Sequence, residues 1–173
     1  MGSKKEIQLS MSQVKKLPYK SLNRMIKKMR EFLKKDETTQ KMFKDYGVDI
    51  EEIDYIPIRF GKLDVSAKTD HGVIILNWKL LTDGDFFKDF SYGVHEITHW
   101  LQQTTGTKPT KSSDDGNYLD NPFEEEGFQN QVSFIDDHFG EEEAEEYVDN
   151  LLDHHDVEED KKEDKKEVLM AKV

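Results

Sequence analysis

The sequence predicts an α+β fold in which a small antiparallel or mixed sheet packs against amphipathic helices. Apolar residues recur at helical spacing near both ends of the chain, whereas residues 55–77 include segments that alternate apolar and polar side chains as half-buried strands do. A length of 173 residues fits one domain with a tail. We therefore expect an N-terminal helical segment over residues 1–50, a central domain over 51–155, and a poorly ordered acidic and lysine-rich tail over 156–173.

The composition excludes several classes of protein. The chain has 36% charged residues and no cysteine. Without cysteine, neither a disulfide framework nor a thiolate metal site is possible, so His, Asp or Glu must hold any metal ion. The polar N-terminus lacks the apolar core of a signal peptide, and no apolar run reaches the roughly 18 residues of a membrane span. We expect a cytoplasmic protein with no membrane partner.

The charge is divided unevenly along the chain. Residues 1–50 carry 13 Lys and Arg against 6 Asp and Glu, whereas the remainder carries 12 against 31. The basic part could bind nucleic acid, bind an acidic partner, or pair with the acidic part of its own chain. We favour internal pairing and no nucleic-acid partner, because the overall net charge of −12 repels a polyanion.

The first 50 residues predict an N-terminal segment without regular secondary structure, followed by two helices. We expect residues 1–9 to lack regular structure and Ser21 to cap a helix that continues to about Lys35. A second helix is expected from Glu37 to Tyr46, with Gly47 just past its end, where a positive φ is needed. The buried stripe of the first helix comprises Leu22, Met25, Ile26, Met29, Phe32 and Leu33.

The middle of the chain predicts three strands. Alternating apolar residues place them at about 55–60, 63–68 and 72–77, with the last two forming a hairpin around a turn at Thr69–Gly72. A short helical turn is expected from Lys79 to Thr82.

The last third predicts a long loop followed by two helices. Residues 104–121 are polar and form a loop of a length that is usually functional or mobile. Asn121 is a favoured cap and Pro122 a favoured first helical residue, so a helix begins there and ends at Gly140. A final helix is expected over about 141–153.

The sequence His95-Glu96-Ile97-Thr98-His99 lies in a predicted helix from about residue 85 to 103. Residues four apart share a helix face, so His95 and His99 can direct their imidazoles at one metal ion. Glu96 can reach a water on that metal. This is the HExxH arrangement of two zinc ligands and a general base.

Catalytic zinc usually has three protein ligands and one open position, so a third ligand is expected downstream. The candidates are Glu124, Glu125 and Glu126, which point about 100° apart on a helix. We favour Glu126, because the adjacent Gly127 allows close packing of the two helices. Asn130 lies one turn further on, where it could hydrogen-bond a ligand histidine. Glu124 is the alternative ligand.

The HExxH motif followed by Glu126-Gly127-Phe128 on a second helix resembles the gluzincin metallopeptidases. In zinc aminopeptidases of that clan the glutamate ligand lies in an Asn-Glu-Gly-Phe-Ala run, and in thermolysin-like enzymes in Asn-Glu-Ala. This chain departs from the first pattern with Glu125 before the ligand and Gln129 after the phenylalanine. Residues 118–131 also resemble small phage and bacterial HExxH proteins.

The resemblance covers roughly residues 55–139 and implies a zincin-like fold with the N-terminal helices in front of it. It implies Zn²⁺ as the cofactor and a peptide or protein substrate that pairs with strand 72–77 as an edge strand. It also implies that Tyr118 stabilises the oxyanion, with Tyr92 and His138 as lesser candidates.

The predicted activity is zinc-dependent hydrolysis of peptide bonds, with Glu96 as the general base that activates a water molecule. Two alternatives stay open. The protein could be a metal-stabilised interaction or regulatory protein without turnover, or a regulatory protease that cuts one partner, as in the ImmA/IrrE-like family. Residues 1–50 could also cover the cleft of a zymogen. The sequence gives no indication of the oligomeric state.

Overall fold

The computed structural model describes residues 10–82, 86–106 and 118–173. The fold is α+β and mostly helical, with a three-stranded mixed sheet. None of the described helices combines the length and apolarity needed to cross a lipid bilayer. The helices are α1 Met11–Lys15, α2 Tyr19–Lys35, α3 Glu37–Asp45, α4 Phe86–Thr104, α5 Pro122–Phe139, α6 Glu141–His154 and α7 Glu159–Leu169. The strands are β1 Ile58–Gly61, β2 Ala67–Asp70 and β3 Val73–Asn77. Short 3₁₀ segments span Ile50–Tyr55, Trp78–Thr82 and Tyr118–Asp120.

The sheet has the order β1-β3-β2, with β1 parallel and β2 antiparallel to β3. The predicted hairpin is confirmed, although its turn is shorter than expected and comprises only His71 and Gly72, both with positive φ. The first predicted strand begins later than expected, because residues 50–55 form a 3₁₀ turn instead.

The expectation that strand 72–77 is an edge strand is wrong. This segment is β3, which pairs with β1 on one side and with β2 on the other, so it has no free edge. The continuous apolar run that suggested a strand here is typical of a central strand buried on both faces. The free edge next to α4 belongs to β2 instead.

Helices α2 and α3 contribute to the main core. The predicted stripe of α2 is confirmed, although the helix begins at Tyr19 after Pro18 and Ser21 is not its cap. The α3 helix is capped by Asp36, whose carboxylate accepts from the backbone N of Thr39 at 2.9 Å. Gly47 has the predicted positive φ. One apolar cluster joins α2, α3, the sheet, α4 and the end of α5, and its largest fully buried members include Met29, Leu33, Phe43, Ile74, Leu76 and Ile97.

The favoured pairing between the basic residues 1–50 and the acidic remainder is made by Lys34 of α2 but not by the exposed cations of that helix. Lys34 pairs with Glu51 and Asp54, which belong to the acidic remainder of the chain. Among the described residues, the exposed cations Lys20, Arg24, Lys27 and Lys28 make no ion pair. The acidic end instead pairs with its own lysines, as in the 2.7 Å contact between Lys162 Nζ and Asp153 Oδ1.

The expectation that residues 156–173 are poorly ordered is also wrong. They contain α7, which packs on α5 and α6 through Leu169, a side chain with no exposed surface. Lys165 Nζ lies 3.0 Å from Glu125 Oε2, and Gln129 Nε2 donates to the carbonyl of Val168 at 2.9 Å. The composition is poor in apolar residues, but one buried leucine and a few polar contacts attach the helix.

We predict that Leu169→Ala lowers the free energy of unfolding by about 2–5 kcal/mol, because it leaves a cavity in the apolar cluster that Leu169 forms with side chains of α5 and α6. Urea unfolding measures the change. The adjacent Val168 is 37% exposed, so Val168→Ala is the matched control and should cost much less. Equal effects of the two substitutions would contradict the packed position of α7.

Candidate metal centre

Helix α4 places His95 and His99 as the motif predicts. Val94, Ile97 and Leu101 have no exposed surface and hold the opposite face of the helix in the core. The two imidazoles therefore face away from this stripe, and their Nε2 atoms lie 3.1 Å apart. Both histidines are largely buried, with side chains 6% and 12% exposed.

Glu124 completes the group. Its Oε2 lies 3.0 Å from His95 Nε2, and its Oε1 lies 3.1 Å from His99 Nε2. The residue lies in the first turn of α5, which begins as predicted with Asn121 accepting from the backbone N of Phe123 at 3.0 Å. Its side chain is 17% exposed.

Glu126, the favoured third ligand, does not lie with the histidines. Its carboxylate accepts a hydrogen bond from the Tyr46 hydroxyl, at 2.7 Å to Oε1 and 2.9 Å to Oε2. It also accepts from Gln102 Nε2 at 3.3 Å. Two residues along a helix turn the side chain by about 200°, so Glu124 and Glu126 cannot face the same partner.

Gly127 allows the close approach that we predicted from it. A Cβ at this position would lie 2.9 Å from Cε1, 3.0 Å from Nε2 and 3.1 Å from Nδ1 of His95. Glu124 precedes Gly127 by three residues and shares its helix face. The same close contact therefore brings Glu124, rather than Glu126, to the imidazoles.

The predicted bond from Asn130 to a ligand histidine is wrong. Asn130 Nδ2 donates to Thr98 Oγ1 at 3.0 Å, and its Oδ1 accepts from Lys172 Nζ at 2.7 Å. The partner of His99 Nδ1 is instead Gln102 Oε1, at 2.8 Å. Gln102 lies three residues after His99 on α4, so helical spacing alone could have identified it.

Glu96 and Thr69 form the second part of the site. Glu96 is buried on α4, and its Oε2 lies 2.7 Å from the hydroxyl of Thr69 on β2. This contact was missed in the sequence, because the two residues are 27 positions apart and on different elements. Both residues line a cavity of about 640 Å³ that also reaches His99, Glu124 and Tyr118.

Tyr118 lies at this cavity as predicted. Its ring stacks on His155, with 5.3 Å between the centroids and 20° between the planes. Burial of the hydroxyl raises the pKa of Tyr118 above its usual range, and the neighbouring Glu124 carboxylate raises it further. Of the two lesser candidates, Tyr92 packs against the main core and His138 binds Asp36 at 2.6 Å.

The described lining of the cavity includes no residue from 10–50, and α2 and α3 belong to the core. The described part of the chain therefore does not support a removable zymogen cover. Most of the predicted loop 104–121, like residues 1–9, lies outside the described residues.

Glu124 and His99 each shift the pKa of the other toward its charged form. Burial alone would lower the pKa of His99, but the hydrogen bond and charge of Glu124 raise it from 6.5 to about 9. Burial likewise opposes ionisation of Glu124, yet hydrogen bonds from His95 and His99 hold the pKa of its carboxyl well below the usual range.

The three side chains fit a zinc ion. A tetrahedral zinc with bonds of about 2.0–2.1 Å has ligand atoms about 3.3 Å apart. The three distances here are 3.0, 3.1 and 3.1 Å. Two imidazoles and a carboxylate are a donor set that zinc accepts, and three protein ligands leave one position for a water or a substrate.

Comparison of the chain with protein-family models, curated proteins and solved structures finds no match.

We predict that Gly127→Ala destabilises the protein by about 1–3 kcal/mol, since the methyl group would press on the buried His95 ring. Gly93→Ala is the control within a helix, because its methyl group would meet the flexible side chain of Met29, with Sδ at 3.1 Å. There the gain in helix propensity of about 1 kcal/mol should offset the crowding. Urea unfolding compares them; a tolerated Gly127→Ala would contradict the close helix contact.

We predict a pH-dependent stability for protein kept metal-free with a chelator. The raised pKa of His99 contributes stability below pH 6.5, which is lost as the pH rises through about 9. The lowered pKa of Glu124 contributes stability above about pH 4.5, which is lost in acid. Stability measured by urea unfolding should fall between pH 6.5 and 9, and His99→Gln should flatten this fall. A flat wild-type profile over that range would contradict the pair.

Proposed function

We propose that the protein is a zinc-dependent hydrolase of peptide bonds, with His95, His99 and Glu124 as the metal ligands. One observation carries the proposal: ligand atoms of His95, His99 and Glu124 converge, and His99 and Glu124 line the same cavity as the buried Glu96. When bound, zinc supplies Lewis acidity, which acidifies water and polarises a carbonyl group. The remaining chemistry comes from side chains of this chain.

Glu96 is the general base in this proposal. It takes a proton from the attacking water and returns it to the nitrogen of the departing amine. Thr69 holds Oε2 of the carboxylate through the 2.7 Å hydrogen bond, which leaves Oε1 to carry the proton. The burial of Glu96 strengthens its electrostatic interactions with the reacting groups.

Tyr118 stabilises the negative oxygen that forms on the substrate carbonyl. Its hydroxyl can donate a hydrogen bond, because tyrosine is ordinarily protonated at neutral pH and burial raises the pKa of Tyr118 further. Its position at the same cavity as Glu96 and Glu124 supports this role.

The free edge of β2 is the proposed binding surface for an extended peptide. The carbonyl of Ser66 accepts from the backbone N of Asn77 at 2.9 Å, which sets the alternation of hydrogen bonds along the pair. By this alternation, Ala67 and Thr69 direct their backbone groups away from β3. A substrate strand can pair with those groups and pass beside Glu96.

We predict two different effects of substitution in the site. Glu124→Ala should lose the roughly one zinc per chain of the wild type, measured by elemental mass spectrometry, because two ligands hold catalytic zinc poorly. Glu96→Gln should keep the zinc and lower cleavage of a mixed peptide library, followed by mass spectrometry, by about 10²–10⁴-fold. Glu125→Ala is the matched control, since its carboxylate binds Lys165 instead.

Each failure has a separate meaning. Zinc-free wild-type protein, even after zinc addition, would overturn the metal site. Cleavage that persists in Glu96→Gln would overturn its role as the base. Bound zinc without cleavage of any peptide would favour an interaction protein or a protease with one protein substrate.

A further inference from the structure

We propose that Glu126 is a positioning residue that acts through Gln102 to fix the hydrogen of His99 on Nδ1, which leaves Nε2 free to bind metal. This inference rests on the proposed zinc site but concerns residues outside its ligand set. Three helices take part: Tyr46 follows α3, Gln102 lies on α4 and Glu126 lies on α5.

The first step is the orientation of the Gln102 amide. A carboxylate only accepts hydrogen bonds, so Glu126 Oε2, at 3.3 Å, requires the NH₂ group of Gln102. The carbonyl oxygen of Phe123, also an acceptor, lies 3.3 Å from the same nitrogen. Gln102 is only 3% exposed, so water offers little alternative to these partners. The amide oxygen must therefore point the other way.

The second step is the tautomer of His99. The Gln102 oxygen, Oε1, lies 2.8 Å from His99 Nδ1. Because an amide oxygen only accepts, Nδ1 must carry the hydrogen. In the neutral imidazole this leaves the lone pair on Nε2, the atom that lies 3.1 Å from Glu124 Oε1.

Tyr46 anchors the far end of this chain of hydrogen bonds. Its hydroxyl donates to both oxygens of Glu126, at 2.7 and 2.9 Å. Tyrosine is ordinarily protonated at neutral pH, and burial and the nearby Glu126 carboxylate raise the pKa of Tyr46 further, so the hydroxyl is the donor. Glu126 is thereby held as an acceptor facing Gln102.

His95 has no chain of hydrogen bonds to its Nδ1 among the described residues. Its Nδ1 is buried and has no hydrogen-bond partner among the described residues. The ring is held by packing over Gly127 and against Phe128, with 4.5 Å between the ring centroids. The two ligand histidines are thus positioned by different means, and substitution of Glu126 should act on His99 alone.

The test is zinc affinity, measured by competition with a chromophoric chelator. Glu126→Leu removes the acceptor and should weaken zinc binding about 10–100-fold, the usual effect of losing a residue that orients a ligand. Glu126→Gln keeps an oxygen for Gln102 and should bind zinc nearly as tightly as wild type. Glu125→Leu is the matched control, because its carboxylate faces Lys165.

A spectroscopic measurement separates orientation from packing. In the zinc-loaded wild type and in Glu126→Gln, ¹⁵N-correlated NMR should show a His99 Nδ1–H resonance that is protected from exchange with water. In Glu126→Leu this resonance should exchange faster or disappear, while circular dichroism remains that of the folded protein. If Glu126→Leu fails to fold, Gln102→Met replaces it, with the same expected loss of affinity and of the resonance.

The outcomes divide as follows. Wild-type protein that binds no zinc overturns both this inference and the metal site. Zinc affinity unchanged in folded Glu126→Leu overturns this inference alone. Equal weakening in the Gln and Leu variants also overturns it, because the charge of Glu126 and not its orientation of Gln102 would then matter.

Discussion

The contact between the His95 ring and the backbone of α5 at Gly127 sets the geometry on which the candidate site depends. Gly127 presents no side chain to the His95 ring, and a Cβ would come within 3.1 Å of three ring atoms. This approach places the first turn of α5 over the imidazoles. Glu124 lies beside both Nε2 atoms, where burial strengthens its interaction with them.

Polar groups buried near a close contact between two helices generally need hydrogen-bond partners. The contact between α4 and α5 supplies specific pairs, such as Gln102 with Glu126 and Asn130 with Thr98, whereas His95 Nδ1 has no partner among the described residues. Each pair forms only over a narrow range of relative rotation and translation of the helices, because hydrogen bonds weaken steeply outside their usual distances and angles. The polar groups therefore determine the register that the apolar stripes leave open.

The ends of the chain take part in the same arrangement. Tyr46, at the end of α3, binds Glu126, and Lys172, beyond α7, binds Asn130. The N-terminal helices are part of the main core, and α7 packs on α5 and α6 through Leu169. Segments that composition suggests are peripheral therefore support the residues around the proposed metal site.

Local pattern was enough to predict the HExxH helix, the start of α5 at Asn121 and Pro122, and the hairpin of β2 and β3, because periodicity and capping depend on near neighbours in sequence. The sequence by itself thus determined which residues could form a metal site and on which elements they lie. Only the tertiary structure decided that Glu124 faces the histidines, that β2 is the edge strand, and that α7 is packed. Those outcomes depend on the rotation of one element against another, which contacts between distant residues set.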